Sequence, residues 1–225
     1  MCKILPIFMV AKINPSLKNI TQYLGTCFYV GNNKFATASH VTGNANDELI
    51  ILTNVFDSKG YQDFTTTDIR KHEGFKVELC NYNPLHDISI LKITDPTIFT
   101  KIDLSYTLDS TDNLSIGTEV IHFGFPHADQ YRHVLTYQKN SVGALVLLGN
   151  KDQKLKHIIL NNQTRPGQSG GPVFSNDLSK IYAMILGGFK PKSNGSITIS
   201  GIDLTTIHQT THAISAEYIK DMLNE

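Results

Sequence analysis

The segment Thr164-Arg-Pro-Gly-Gln-Ser-Gly-Gly-Pro-Val173 sets a serine, Ser169, in a run of glycine and proline that no helix or strand interior carries. Gly167, Gly170 and Gly171, with Pro166 and Pro172, bracket it so closely that the backbone turns tightly there. A hydroxyl on such a turn is accessible, with backbone N–H groups facing one side of it. Nucleophilic acyl transfer needs that arrangement: an oxygen free to attack a carbonyl, and donors aimed where negative charge develops. A glycine-rich turn between two strands has the same composition, so the segment alone carries both readings.

A serine hydroxyl is a weak nucleophile at neutral pH and requires an imidazole base with a group to orient it. Upstream, Gly25-Thr-Cys-Phe-Tyr-Val-Gly-Asn-Asn-Lys-Phe-Ala-Thr-Ala-Ser-His-Val41 reads as two strands followed by His40, where the second strand runs out. Small Ala38 and Ser39 let packing hold the histidine while its ring faces a cleft. In Asn83-Pro-Leu-His-Asp-Ile-Ser-Ile-Leu-Lys-Ile93, Asp87 stands just before an apolar strand, where a carboxylate is partly withdrawn from water. Such a group can accept an imidazole N–H and fix its tautomer. Singly, His40 reads equally as a surface or core histidine, and Asp87 as a turn residue.

The rest of the chain bounds the class. Its 225 residues, 40% of them apolar, suffice for one domain or two small ones with a packed core. Twenty basic and twenty acidic side chains cancel, leaving no charge footprint for nucleic acid or an anionic membrane. No apolar stretch approaches the roughly 20 residues of a membrane span, and Ile4 to Ala11, broken by Pro6, reads as a first strand. Cys2, Cys27 and Cys80 lie far apart with no C-x-x-C pair, which disfavours a disulfide framework or a cysteine-rich metal site and favours a reducing compartment.

Short runs of Val, Ile, Phe and Tyr recur between Gly, Asn, Asp and Pro clusters. Cys27–Val30, Lys34–Ala38, Leu49–Thr53, Phe75–Leu79, Ile88–Ile93, Val120–Phe123, Val134–Tyr137, Val142–Leu148, His157–Leu160, Val173–Phe174, Ile181–Leu186 and Ser196–Ile202 all read as strands. This texture predicts an all-β fold of sandwich or barrel type. Gly31, Asn32 and Asn33 fit a hairpin turn, and Asp95 to Gly117 reads as the connection between two halves. Ser215 to Leu223 reads as a terminal helix, opened by an N-cap type residue, with Tyr218, Ile219, Met222 and Leu223 on one face.

Taken together, Thr37-Ala-Ser-His40, Asp87-Ile-Ser-Ile-Leu91 and Gly167-Gln-Ser-Gly-Gly-Pro172, in the order His, Asp, Ser, resemble the trypsin-like serine peptidases, particularly their bacterial cytoplasmic and HtrA-like branch. Phe123-Gly-Phe-Pro126 and Ala213-Ile-Ser-Ala-Glu-Tyr-Ile219 extend the resemblance from about Gly25 to the C-terminus. It implies two antiparallel Greek-key β-barrels with a C-terminal helix. Residues 1–105 would carry His40 and Asp87, and residues 106–225 would carry Ser169. It also implies a Ser169–His40–Asp87 triad, an oxyanion hole from the Gly167 and Ser169 N–H groups, and no metal or other cofactor.

By the same resemblance Gln163, Thr164, Ile185 and Gly187 line the first specificity pocket. No carboxylate stands at its floor for Lys or Arg, and Ile185 replaces the histidine of glutamate-specific relatives, so an uncharged side chain is expected there. Gln168 stands where digestive members carry an Asp that pairs with a newly cut N-terminus, and Val41 where secreted relatives carry a Cys. Activation by trimming and a loop disulfide are therefore not expected.

The implied partners are a protein or peptide substrate and a regulatory protein, with neither nucleic acid nor membrane. The competing reading is a catalytically silent binding module of the same fold. His86-Asp87 lacks the helical setting of metal-dependent phosphohydrolases, and His208 and His212 lack an intervening Glu for zinc. His122, His127 and His133 read as loop or hydrogen-bonding residues, and Arg165 as either solvated or substrate-facing.

Overall fold

Asn32 and Asn33 both adopt left-handed backbone, at φ 53° and 59°. That pair of positive φ values is what a two-residue hairpin turn requires to match strand twist, and asparagine tolerates it. The hairpin joins β2 (Asn19–Gly31) to β3 (Lys34–Ala38). The computed structural model describes residues 6–14, 16, 19–43, 48–53, 73–95, 104–129, 132–149, 153–188, 198–199, 202–203 and 210–225.

With β1 (Ile7–Asn14), β4 (Leu49–Thr53), β5 (Glu73–Asn83) and β6 (Ile88–Ile93), the hairpin forms a closed antiparallel barrel in the order β1-β2-β3-β6-β5-β4. The β1–β4 ladder closes it. Its strands bury side chains on both faces, Ile7, Phe28, Ile88 and Ile90 on one and Phe35 and Ile51 on the other.

A connection follows with a two-residue strand, β7 (Thr107–Leu108), and one 3-10 turn, Thr111–Asn113. The rest of that connection, 96–103, lies outside the described residues. The second barrel uses β8 (Glu119–Gly124), β9 (Thr136–Gly149), β10 (Lys154–Leu160), β11 (Pro172–Ser175), β12 (Lys180–Gly188) and, after a small hairpin of β13 (Thr198–Ile199) and β14 (Ile202–Asp203), β15 (Thr211–Ser215). The sheet runs β11-β8-β9-β10-β15-β12, and β11 also pairs with β12, which closes it. β7 adds to β12 in parallel, a departure from an otherwise antiparallel pattern.

The fold is the expected pair of antiparallel barrels with a C-terminal helix. Several local readings change. Val134–Tyr137 and Val142–Leu148 belong to one strand, β9, because Gln138 to Ser141 continue the ladder against β8. The run Ser196–Ile202, read as one strand, contains parts of two, β13 and the first residue of β14, with 196, 197, 200 and 201 outside the described residues. The terminal helix, α2 (Glu217–Asn224), has Ala216 at its N-cap; Ser215 ends β15, and its hydroxyl accepts the Thr111 N–H at 3.1 Å. Ile219 and Met222 bury the expected helix face.

Two clusters make the core. One fills the first barrel and continues through Phe123, Phe125, Phe174, Met184, Ile214, Ile219 and Met222 of the C-terminal half. The other, with Val120, Val142, Ile158, Leu160, Val173, Ile185 and Ala213, fills the second barrel. Within the first cluster Tyr106 links the two halves, stacking edge-on to Phe174 and donating its phenol O–H to the Tyr29 carbonyl at 2.7 Å, and burial pushes that phenol's pKa well up.

Phe35 sits edge-on to Phe8, with centroids 5.2 Å apart, and against Tyr29 at 5.3 Å. Phe35→Ala is expected to cost about 3–5 kcal/mol, as large-to-small changes of a buried aromatic do. A urea titration of the two proteins measures this as a lowered midpoint.

Candidate active site

Strand register sets the first half of the site. β3 and β6 pair antiparallel with Ala38 opposite Ile88, so the residues just after β3 and just before β6 emerge at the same barrel edge. The chain leaves β3 into one helical turn, α1 (Ser39–Thr42), and enters β6 from the Pro84–Asp87 turn. His40 and Asp87, 47 residues apart in sequence, meet there, and the His40 Nδ1 lies 2.7 Å from Asp87 Oδ2.

Three donors hold the Asp87 carboxylate. Besides the imidazole, Oδ1 accepts the Ser39 hydroxyl at 2.7 Å and the His40 backbone N–H at 2.9 Å. The Asp87 carbonyl accepts the Ser39 N–H, so the turn is clasped twice. Partial burial alone would raise the carboxyl pKa; the hydrogen bonds from His40 and Ser39 outweigh it and hold the group below its ordinary value. Asp87 adopts a left-handed φ of 55°, which Asp and Asn tolerate better than bulkier residues. Behind α1, the Thr42 hydroxyl reaches Ser89 Oγ at 2.9 Å and ties the turn to β6. About half of the His40 side chain stays exposed, facing out of the barrel edge.

The glycine-rich loop supplies the second half. Gly167 (φ +95°) and Gly170 (φ +82°) adopt conformations that other L-residues rarely take. A Cβ on Gly170 would run into the Thr26 carbonyl and the Thr37 hydroxyl, and one on Gly167 into the Phe125 carbonyl. The loop thus packs directly on the strand end that leads to His40. The N–H groups of Gln168, Gly170 and Gly171 bond to the carbonyls of Arg165, Ile185 and Gln168. Among the described residues, the N–H groups of Gly167 and Ser169 have no hydrogen-bond partner. Two unpaired donors flank a serine, the arrangement that stabilises an oxyanion. The Ser169 hydroxyl donates to the Leu186 carbonyl at 3.0 Å.

Gln168 is fully buried beneath this loop. Its Oε1 accepts the Arg165 N–H at 2.8 Å; its Nε2 reaches Gln138 Oε1 at 3.1 Å and His122 Nε2 at 3.3 Å. His122 lies inside β8, within the expected Val120–Phe123 strand, and is the hydrogen-bonding residue of its two readings: its other nitrogen meets Asn140 Nδ2 at 2.6 Å. His133 is buried and stacks on Tyr23, with centroids 4.6 Å apart. His127 sits in a turn at φ 52° and donates its backbone N–H to the Pro166 carbonyl at 2.7 Å. Arg165 is exposed, and His208 lies outside the described residues.

Of the residues expected to line the specificity pocket, Thr164 is buried and donates its N–H to Thr211 Oγ1 at 2.9 Å, while Gln163 is half-buried. Gly187 faces the serine: a Cβ there would come within 3.9 Å of Ser169 Oγ. Ile185 packs wholly into the core of the second barrel. Sequence reasoning did not find Thr26, Ser39, Leu186 or Thr211. Ser39 stood beside a chosen histidine, but Thr26, Leu186 and Thr211 have no local signal and act only through tertiary contact. No group of His, Cys, Asp and Glu suited to a metal occurs among the described residues.

The sequence profile of the trypsin-like peptidase domain matches residues 25–184. None of the curated proteins searched matches the chain by sequence. Solved structures with a similar fold include the active form of the Rv3671c protease from Mycobacterium tuberculosis, at TM-score 0.64 and 14% identity, covering 97% of this chain and 79% of that one. The inactive Ser343Ala mutant of the same protein matches at TM-score 0.62 and 13% identity, covering 97% and 85%. The MamO protease domain from Magnetospirillum magneticum matches at 0.64 and 14%, covering 96% and 94%.

His122 and His157 are buried, and burial lowers both pKa values from 6.5 to about 4, with His212 adding to the effect at His157. Since the unfolded rings take up protons first, the protein keeps this stability above pH 6.5 and loses it as pH falls toward 4. Urea midpoints are expected to fall across that window, and the fall should shrink in His157→Asn.

Proposed function

Since the chain belongs to the trypsin-like peptidase family, we propose that it is a serine endopeptidase that hydrolyses peptide bonds in protein substrates through an acyl-enzyme. The observation that carries this reading is the His40–Asp87 pair, closed at 2.7 Å with the ring half exposed on the edge against which the Ser169 loop packs. Orienting a surface histidine with a carboxylate that already holds two other donors serves a base far better than it serves packing.

In the proposed reaction the Ser169 hydroxyl turns from the Leu186 carbonyl to His40 Nε2. Its oxygen attacks the scissile carbonyl while His40 takes the proton. The oxyanion is received by the Gly167 and Ser169 N–H groups, each such donor being worth about 3 kcal/mol. His40 then protonates the leaving amine, giving the acyl-enzyme, and the same steps with water release the acid and restore the serine. Asp87 holds the Nδ1 proton throughout and stabilises the imidazolium. No cofactor takes part.

The first specificity pocket is assigned to Gln163, Thr164 and Gly187, with Ile185 beneath. None of them bears a charge, so cleavage after uncharged residues is proposed. Gln168, neutral and satisfied by its neighbours, has no use for a newly cut N-terminal amine. Regulation is instead assigned to what frees Ser169 from Leu186: an extended substrate, or a regulatory protein, that competes for that carbonyl. A reducing, cytoplasmic setting suits Cys27 and Cys80, both free.

One observation favours a second reading. Because the serine hydroxyl rests on Leu186, the chain would also serve as a silent binding module if that rotamer never changes.

A fluorophosphonate probe separates the two. The wild type should be labelled and Ser169→Ala should not; labelling of neither would favour the binding module. Asp87→Asn keeps the left-handed turn, so folding should change little while kcat drops by about 10⁴. Peptide-library profiling should show cleavage after uncharged residues, and strong cleavage after Arg would contradict the pocket assignment.

A further inference from the structure

Thr26 belongs to the first barrel, yet three of its four polar contacts go to the other half or to the nucleophile loop. Its backbone N–H donates to the Ser169 carbonyl at 2.8 Å. Its hydroxyl donates to the Gly167 carbonyl at 2.7 Å and accepts the Phe125 N–H at 3.2 Å. Its own carbonyl accepts the Thr37 hydroxyl at 2.7 Å, which ties it to β3, the strand that leads to His40. The residue is fully buried, so no water substitutes for these partners.

These contacts lie where two rigid bodies must be placed relative to each other. His40 is fixed to the first barrel by β3 and Asp87, and Ser169 to the second by the ladder of Gly170 and Gly171 with Ile185. A carbonyl and the N–H of the following residue lie in one rigid peptide plane, joined to the planes before and after it by only two torsions each. Fixing the Gly167 carbonyl therefore fixes the Gly167–Gln168 peptide plane and limits how the unpaired Gly167 and Ser169 N–H groups can point. We propose that the Thr26 hydroxyl is a positioning group for the oxyanion-binding loop, setting those two donors relative to His40 without touching the substrate. This inference rests on the serine peptidase reading above.

The chemistry makes the role separable from simple packing. Thr26→Val has nearly the same shape but offers Gly167 no donor and Phe125 no acceptor, whereas Thr26→Ser keeps the hydroxyl and loses only a methyl. With a chromogenic peptide found by library profiling, Thr26→Val is expected to lower kcat about tenfold to a hundredfold, part of what losing an oxyanion donor costs, with KM within about threefold of wild type. Thr26→Ser should restore kcat to within about threefold. A purely structural role would lower the melting temperature of both variants and leave kcat of the folded fraction alone. An unchanged kcat in Thr26→Val, a loss carried by KM, or a Thr26→Ser as poor as Thr26→Val would each overturn the proposal.

If Thr26→Val does not fold, Thr26→Cys replaces it, since a thiol is a weaker donor; kcat between those of valine-like loss and serine supports the role, and kcat equal to Thr26→Ser overturns it. If wild type itself neither cleaves peptides nor takes up fluorophosphonate, the peptidase reading fails. The positioning claim is then judged on the amide resonances of Gly167 and Ser169, which should shift in Thr26→Val and return in Thr26→Ser. Resonances unmoved in both variants would overturn it.

Discussion

A ladder register governs this molecule. Because Ala38 pairs with Ile88, the end of one strand and the start of another are fixed at a single barrel edge, and a histidine and an aspartate distant in sequence become neighbours. Both faces of β3 and β6 are buried, Phe35 lying opposite Leu91 on one and Ile90 opposite Ala36 on the other, so a slip by one residue would set every one of these side chains against the wrong neighbours. Hydrophobic burial thus enforces a polar contact. The Asp87 carboxylate then adds local precision, since three donors converge on it and leave the imidazole little freedom.

The second half of the site is built on different physics. There glycine is needed because neighbouring carbonyls from both barrels press on the loop. Most N–H groups of the loop are consumed by its own turns and by Ile185, while those of Gly167 and Ser169 remain unpaired. Beneath them the amide of Gln168 is held by neutral partners, His122 and Gln138 among them. The loop's shape is therefore set by folding alone, without an ion pair.

Much of this was legible in the sequence. Period-two runs gave the strands Lys34–Ala38, Leu49–Thr53 and Ile88–Ile93 with the bounds they have in the structure, since flanking turn residues mark both ends. The motifs around His40, Asp87 and Ser169 stand out in the sequence because their neighbours are constrained as well, and the structure brings His40 and Asp87 into contact. Illegible were contacts made only across the fold. Nothing beside Thr26 announces that its hydroxyl meets Gly167, and nothing near Leu186 marks its carbonyl as the serine's acceptor. His122 falls in the Val120–Phe123 run and makes hydrogen bonds, as one of its two readings had it, but its buried partners Asn140 and Gln168 come from elsewhere in the fold. The continuity of β9 was missed because polar Gln138 to Ser141 carry no apolar alternation.

The shared apolar cluster has a consequence for how the molecule can be divided. Phe123, Phe125 and Phe174 belong to the later half but are packed in one cluster with residues of the first barrel, as are Met184 and Ile219. Separating the halves would expose all of these rings and chains to water together, so the seam holds the two barrels as one body. Evolution or an engineer can exchange surface loops on this scaffold freely, but swapping one barrel for a relative's would require the whole seam to be re-matched.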